Sequence, residues 1–173
     1  MWSLRLVIPA LLATLATAAS FEAAQLTEDE IGTSSALAFG NPDDVAPRSS
    51  CRAFPGSDDW PSRCDWARLN TALQGRLLHP DPPAAVCYEG ENHDEDACRE
   101  LVLRAGDTHF YIDDPLSVLS QWPQGSTCLP DLDPAGNCTR GGFPEYVVNA
   151  TRVADVQVAV NFARNKNVRL VIK

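Results

Sequence analysis

The sequence is poor in the groups that carry most protein chemistry. It has three histidines and one methionine in 173 residues. His79, His93 and His109 stand in polar or proline-flanked surroundings, and none has a second histidine four positions away. No Cys-x-x-Cys, His-Glu-x-x-His or haem-attachment motif occurs, which argues against a resident metal. Gly-x-Ser-x-Gly, the phosphate loop and Gly-x-Gly-x-x-Gly are also missing, so the usual hydrolase, P-loop and dinucleotide signatures fall away. Beyond the first eighteen residues no stretch approaches the ~20 apolar residues of a membrane span. Basic charge is scarce: 14 Lys and Arg stand against 23 Asp and Glu, a net charge of -9. With no Lys/Arg cluster to offset it, this acidity repels phosphate backbones and anionic lipid. Neither nucleic acid nor membrane is therefore expected as a partner.

What is present begins with a targeting signal. Arg5 makes a small basic region, Leu6 to Ala18 is mostly apolar, and Ala16-Thr17-Ala18 offers a small-x-small cleavage site. Residues 1–18 are read as a signal peptide and the protein as secreted and extracellular. A chain of about 155 residues remains, enough for one modest domain. Its charges are 13 basic and 23 acidic once Arg5 is removed, a net of -10. All six cysteines lie past the signal. An even count in a secreted chain favours disulfides, with fifteen connectivities available to six cysteines. Local spacing suggests Cys51 with Cys64, Cys87 with Cys98, and Cys128 with Cys138. Two sequons, Asn137-Cys138-Thr139 and Asn149-Ala150-Thr151, make Asn137 and Asn149 candidate glycan sites.

Residues 19–50 read as a linker or propeptide, largely disordered, with a short acidic helix over Gln25 to Ile31. Order is expected from Cys51. Ser62 and Asp65 have capping-box spacing, and Trp66, Leu69, Leu73 and Leu77 form one apolar helical stripe. His79-Pro80-Asp81-Pro82-Pro83 is an extended connector, followed by a short strand or loop over Val86 to Tyr88. A second helix starts in Glu91 to Glu95, runs through Ala97, Cys98, Leu101 and Val102, and stops at Gly106-Asp107. Phe110, Tyr111 and Ile112 make a further apolar run, ended by Asp113-Asp114-Pro115, and Leu116 to Trp122 follows. Asp131 to Gly136 has a superficial calcium-loop pattern, but its fifth and twelfth positions are Ala135 and Gly142, so an Asx-Pro turn is the better reading.

The last thirty-three residues, 141–173, have the pattern of a strand, a helix and a strand. Tyr146 to Val148 are β-formers. Thr151 caps a helix, and Val153, Val156, Ala159, Val160 and Ala163 have the spacing of one buried face. Asp155 suits the positive helix end, Asn165 and Asn167 supply a stop, and Val168 to Ile172 reads as a strand covered on both sides.

This stretch resembles a known family. Gly141-Gly142-Phe143-Pro144-Glu145-Tyr146-Val147-Val148-Asn149-Ala150-Thr151, Asp155-Val156-Gln157, Val160 to Arg164 and Val168 to Lys173 are similar to the opening of the FAD-binding domain of secreted FAD-linked oxidoreductases. These are the berberine-bridge-like enzymes of the vanillyl-alcohol-oxidase type. Upstream, Cys51 to Gly56, Trp60-Pro61-Ser62, Val86-Cys87-Tyr88 and Ser126 to Pro130 resemble the amino-terminal lead of fungal members. One departure is Asp59, where many members have a cysteine directly before Trp-Pro. The resemblance implies an α+β fold, the amino-terminal part of a PCMH-type FAD-binding domain: a disulfide-stapled lead over 51–140, then the first βαβ unit over 141–173, truncated. It implies FAD and a small-molecule substrate as partners, an alcohol, sugar or secondary-metabolite intermediate oxidised through the flavin. It also implies a Gly-His-containing loop following Lys173, which makes Lys173 the candidate cofactor-edge residue. No residue of this sequence is assigned a catalytic or metal-binding role, and its oligomeric state is left open. The alternative is a small secreted, disulfide-stapled binding protein or a truncated product without function.

Overall fold

The computed structural model describes residues 26–32, 34–38, 51–116 and 125–173, with only the backbone of Tyr111. The expected signal peptide, residues 19–25, 33 and 39–50, and all of Leu116 to Trp122 but Leu116 lie outside them. The elements in order are α1 (Glu28–Ile31), a 3₁₀ turn (Ser35–Leu37), α2 (Arg63–Ala72), β1 (Leu77–Leu78), a 3₁₀ turn (Pro83–Cys87), α3 (Glu95–Arg104), α4 (Thr108–Asp113), β2 (Val147–Val148) and α5 (Val153–Asn165). It is an α+β arrangement with one small antiparallel sheet, Leu77 opposite Val148 and Leu78 opposite Val147.

The α2 helix starts where its sequence indicates. The Ser62 backbone N–H donates to Asp65 Oδ2 at 2.9 Å, and the Asp65 N–H donates back to Ser62 Oγ at 3.2 Å, which satisfies two orphan donors reciprocally. Trp66, Leu69 and Leu73 are buried. Leu77, read as the fourth residue of that stripe, is not helical. Gln74 and Gly75 take φ of 53° and 83°, a left-handed turn that glycine adopts without a Cβ penalty, and the chain reverses into β1.

Two hydrophobic clusters form. One gathers Ala84, Cys87, Tyr88, Cys98, Leu101, Leu116, Cys128 and Phe143 around α3. The other packs Leu37, Trp66, Leu69 and Leu73 against Val158 and Phe162 of α5. Segments 51–140 and 141–173 therefore share both clusters. Phe110 and Ile112, read as a short apolar run, belong to the α4 helix, capped when the His109 N–H donates to Asp107 Oδ1 at 2.9 Å. Of Val86 to Tyr88, read as a short strand or loop, Val86 and Cys87 end the 3₁₀ turn and Tyr88 is its C-cap, so no strand forms there. The expected Asx turn forms, the Asp133 N–H donating to Asp131 Oδ1, and Asp114 makes another, its Oδ1 accepting from the Leu116 N–H.

Four expectations are corrected. The described part of 19–50 is not all linker: Leu37 is 2% exposed in the core between α2 and α5. The expected Cys51–Cys64 bridge does not form: Cys64 projects from the first turn of α2 on the side away from Trp66 and Leu69, while Cys51 is held by its carbonyl, which accepts from Asn167 Nδ2. On α5 the buried side is not the valine stripe. Val153 is 66% exposed and Val156 and Val160 are also exposed, whereas Asp155, Val158, Asn161, Phe162 and Asn165 are buried, and of the expected stripe Ala163 is buried and Ala159 half-buried. Polar residues win that face because each has a partner there. Finally, Val168 to Ile172 forms no second strand. It makes a single parallel bridge, Val168 with Ala53, and from Leu170 onward it is exposed, Ile172 by 80%. A strand needs neighbours for its backbone groups, and the described residues supply one residue's worth.

Candidate functional site

The most developed polar site lies at the start of α5. Asp155 is fully buried and its two oxygens collect a converging set of donors. Arg76, just before β1, donates from Nη2 to Oδ1 at 2.6 Å and from Nε to Oδ2 at 3.2 Å, a two-point contact of guanidinium with carboxylate. Arg152 adds Nη2 to Oδ1 at 2.8 Å, and the backbone N–H groups of Thr151 and Arg152 donate to Oδ2 at 3.0 and 3.1 Å. Burial pushes the Asp155 carboxyl upward, but hydrogen bonds from Arg76, Arg152 and the two backbone amides outweigh it. The group is held far below the usual carboxylate range. The N-cap is Arg152 rather than Thr151, whose N–H and hydroxyl both serve Asp155.

The other end of α5 is tied down as well. Lys166 pairs with Asp65 at 2.9 Å, so the first turn of α2 meets the last turn of α5 and the two helices run antiparallel. Asn167, at φ 54°, closes a Schellman motif in which the Val168 N–H donates to Ala163 O at 2.9 Å. Its carboxamide then fixes the incoming lead: Arg52 Nη1 donates to Oδ1 and Nδ2 donates to Cys51 O, both at 2.9 Å. Asn167 is thus the stop the sequence indicates and also a tie between the end of α5 and the start of the lead at Cys51 and Arg52.

Each residue singled out from sequence has a definite place. Cys87–Cys98 and Cys128–Cys138 are bridged, with Cα atoms 4.8 and 4.4 Å apart. Asn137 and Asn149 are exposed. Asn137 lies on the rim of an open cleft of about 310 Å³, lined also by Asp81, Tyr88, Glu91 and Arg140. Lys173 is exposed, and its ammonium donates to the Asp114 carbonyl oxygen. Reading the sequence missed Arg76 as the partner of Asp155, 79 positions away, and no local pattern could have paired them.

A helix N-terminus binds phosphate through free N–H groups. Leading into α5, the N–H groups of Thr151 and of the N-cap Arg152 are taken by Asp155, a carboxylate of the same chain that sits in the first turn. Gly141 and Gly142 precede β2 rather than following a buried strand. Among the described residues no helix is long and apolar enough to cross a membrane.

Comparison with known proteins finds relatives over most of this chain. A VAO-type flavoprotein oxidase of Thermothelomyces thermophilus is 45% identical over 127 residues, 72% of this chain and 22% of that protein. The crystal structure of a VAO-type flavoprotein from Myceliophthora thermophila C1, determined at pH 5.0, superimposes with a TM-score of 0.66 at 44% identity. That match covers 71% of this chain and 23% of the other. The chain is a homologue of the VAO-type flavoproteins. A bifunctional decalin synthase of Penicillium decumbens is also similar, 38% identical over 75% of this chain and 23% of its own length. No family model matches. The chain thus spans somewhat over a fifth of the VAO-type relatives it matches, and those relatives are FAD-linked oxidoreductases and flavoprotein oxidases.

Proposed function

We propose that this chain is the amino-terminal portion of a secreted FAD-dependent oxidoreductase: a signal peptide (1–18), a connecting segment (19–50), a stapled lead (51–140) and the first unit of the FAD-binding domain (141–173). The observation that carries this reading is similarity to VAO-type proteins across nearly three quarters of this chain, at 45% identity, that occupies 22% of the relative. Two disulfides and two exposed sequons suit an extracellular protein. The whole enzyme would use FAD to oxidise an alcohol, a sugar or a secondary-metabolite intermediate. These 173 residues would contribute the scaffold, not the chemistry. They lock the first helix of the flavin domain onto the lead through Arg76, Asp155 and Asn167, and they hold Lys173 at the edge from which the flavin loop continues.

Sequencing the full transcript tests the reading. A coding region continuing past the Lys173 codon into a Gly-His-containing loop and several hundred further residues is the expected result. A stop at that point with no such coding sequence nearby would leave the small secreted module as the better account. As a second check, the purified 173-residue chain should be colourless, and a yellow preparation holding stoichiometric FAD would overturn the view that these residues do not bind it alone.

A further inference from the structure

Residues Ser34 to Ala38 lie in a groove between α2 and α5 and occupy it as a ligand would. Asn161 and Asn165, four residues apart on α5 and both buried, aim their Nδ2 groups into the groove. Asn161 donates to Leu37 O at 2.9 Å, and Asn165 donates to Ala36 O at 2.9 Å and Ala38 O at 3.0 Å. Two carboxamides thus read three successive main-chain carbonyls. The 3₁₀ turn leaves those oxygens available, because its own bonds run from Leu37 N–H to Ser34 O and from Ala38 N–H to Ser35 O. Between the polar contacts Leu37 enters a pocket of Trp66, Leu69, Leu73, Val158 and Phe162.

The groove is built for a peptide rather than merely covered by one. A buried amide donor without an acceptor is unfavourable, and the carbonyls of a helix interior are consumed by the helix. Packing alone would have been served by apolar residues at 161 and 165. Asn165 Oδ1 is also buried and lacks a partner, so the groove offers one further acceptor. These contacts run through Leu37 and three main-chain oxygens of the segment itself.

We propose that the groove between α2 and α5 is a peptide-docking site whose ligand is the chain's own Ser34–Ala38 segment, which stays docked when the covalent link through residues 39–50 is cut. The ligand class is a single 3₁₀ turn with a central leucine and three consecutive free carbonyls. The inference is independent of the flavoenzyme reading.

A protease recognition sequence placed within residues 39–50 of the complete chain tests it. After cleavage of the folded protein, the amino-terminal piece should co-elute with the body in gel filtration. A labelled synthetic peptide of residues 26–38 added in excess should then exchange into the cut protein. The same peptide carrying Leu37→Ala should bind on the order of 10²-fold more weakly, the scale of a leucine truncated in a core. Because only the peptide varies, the body stays folded in every arm. Clean separation of the two pieces after cutting would overturn the proposal, and so would equal binding of the Leu37→Ala peptide. Dimers in the uncut protein that dissociate with excess peptide would place another copy's segment in the groove, contrary to the docking in cis proposed here.

Discussion

Arg76 reaches Asp155 across 79 positions of sequence, with Nη2 and Oδ1 2.6 Å apart and the carboxylate sealed from solvent. The pair joins the end of the lead to the start of α5, so its removal should loosen both. Asp155→Asn keeps the shape but leaves Arg76 without its counter-charge. Breaking one side of a buried pair is expected to lower stability by about 3 kcal/mol, read as a lower denaturant midpoint with an unchanged slope. A midpoint equal to wild type would show the pair to be energetically idle.

The same carboxyl predicts an acid response. Its folded pKa is depressed, so its contribution is fully present above the ordinary carboxylate value of about 3.9 and fades as pH falls towards the folded value. Wild type should lose stability between pH 5 and pH 2, both taken as approximate bounds of that window. Asp155→Asn, with nothing to protonate at this position, should show a shallower decline. Parallel decline of the two proteins would remove Asp155 from the account of acid lability.

The capping box of α2 gives a smaller, local expectation. Ser62→Ala removes the acceptor for the Asp65 N–H and one donor to its carboxylate, a loss of about 1 kcal/mol in thermal or chemical unfolding. Leu73→Ala, in a position with no solvent exposure, should be several times worse, at roughly 2 to 5 kcal/mol.

Thiol chemistry separates the cysteines. Under native, non-reducing conditions Cys64 should be alkylated rapidly, and Cys87, Cys98, Cys128 and Cys138 should be protected until reduction. Peptide mapping that links Cys64 to any of those four would contradict the fold.

The exposed apolar end should govern solubility. Val171 and Ile172 are well exposed, and a flat hydrophobic segment of this kind promotes association. Val171→Lys with Ile172→Lys should reduce light scattering of the isolated chain at high concentration while leaving its melting temperature within error.

Much of the fold was legible where one segment carries both a signal and its satisfaction. Ser62 with Asp65, the Trp66, Leu69 and Leu73 stripe, the span of α3 and two of the three expected bridges, Cys87–Cys98 and Cys128–Cys138, are of this kind. The span of α5 was legible too, but its orientation was not. Apolar periodicity favoured Val153, Val156 and Val160, and the buried side belongs to Asp155, Asn161 and Asn165, whose partners lie at Arg76 and at Ala36 to Ala38. A polar side chain buries when distant atoms answer it, and a single sequence does not state those distances. The expected last strand failed for the converse reason: Val168 to Ile172 has the composition of a strand, but a strand is a relation between segments, and among the described residues Ala53 alone pairs with it, at Val168.

The packing of α2 against α5 also sets a timetable for folding. At ~5–20 residues per second, the 79 residues between Arg76 and Asp155 take roughly 4 to 16 s to synthesise. Throughout that interval the face carrying Trp66, Leu69 and Leu73 has no Val158 or Phe162 to lie against. The bridges at separations of 11 and 10 residues can close while the ribosome is still working, so the α3 half is stapled early and the α2 half must wait. An emerging chain of this design presents chaperones with one well-defined sticky surface, and the arrival of α5 is the event that withdraws it.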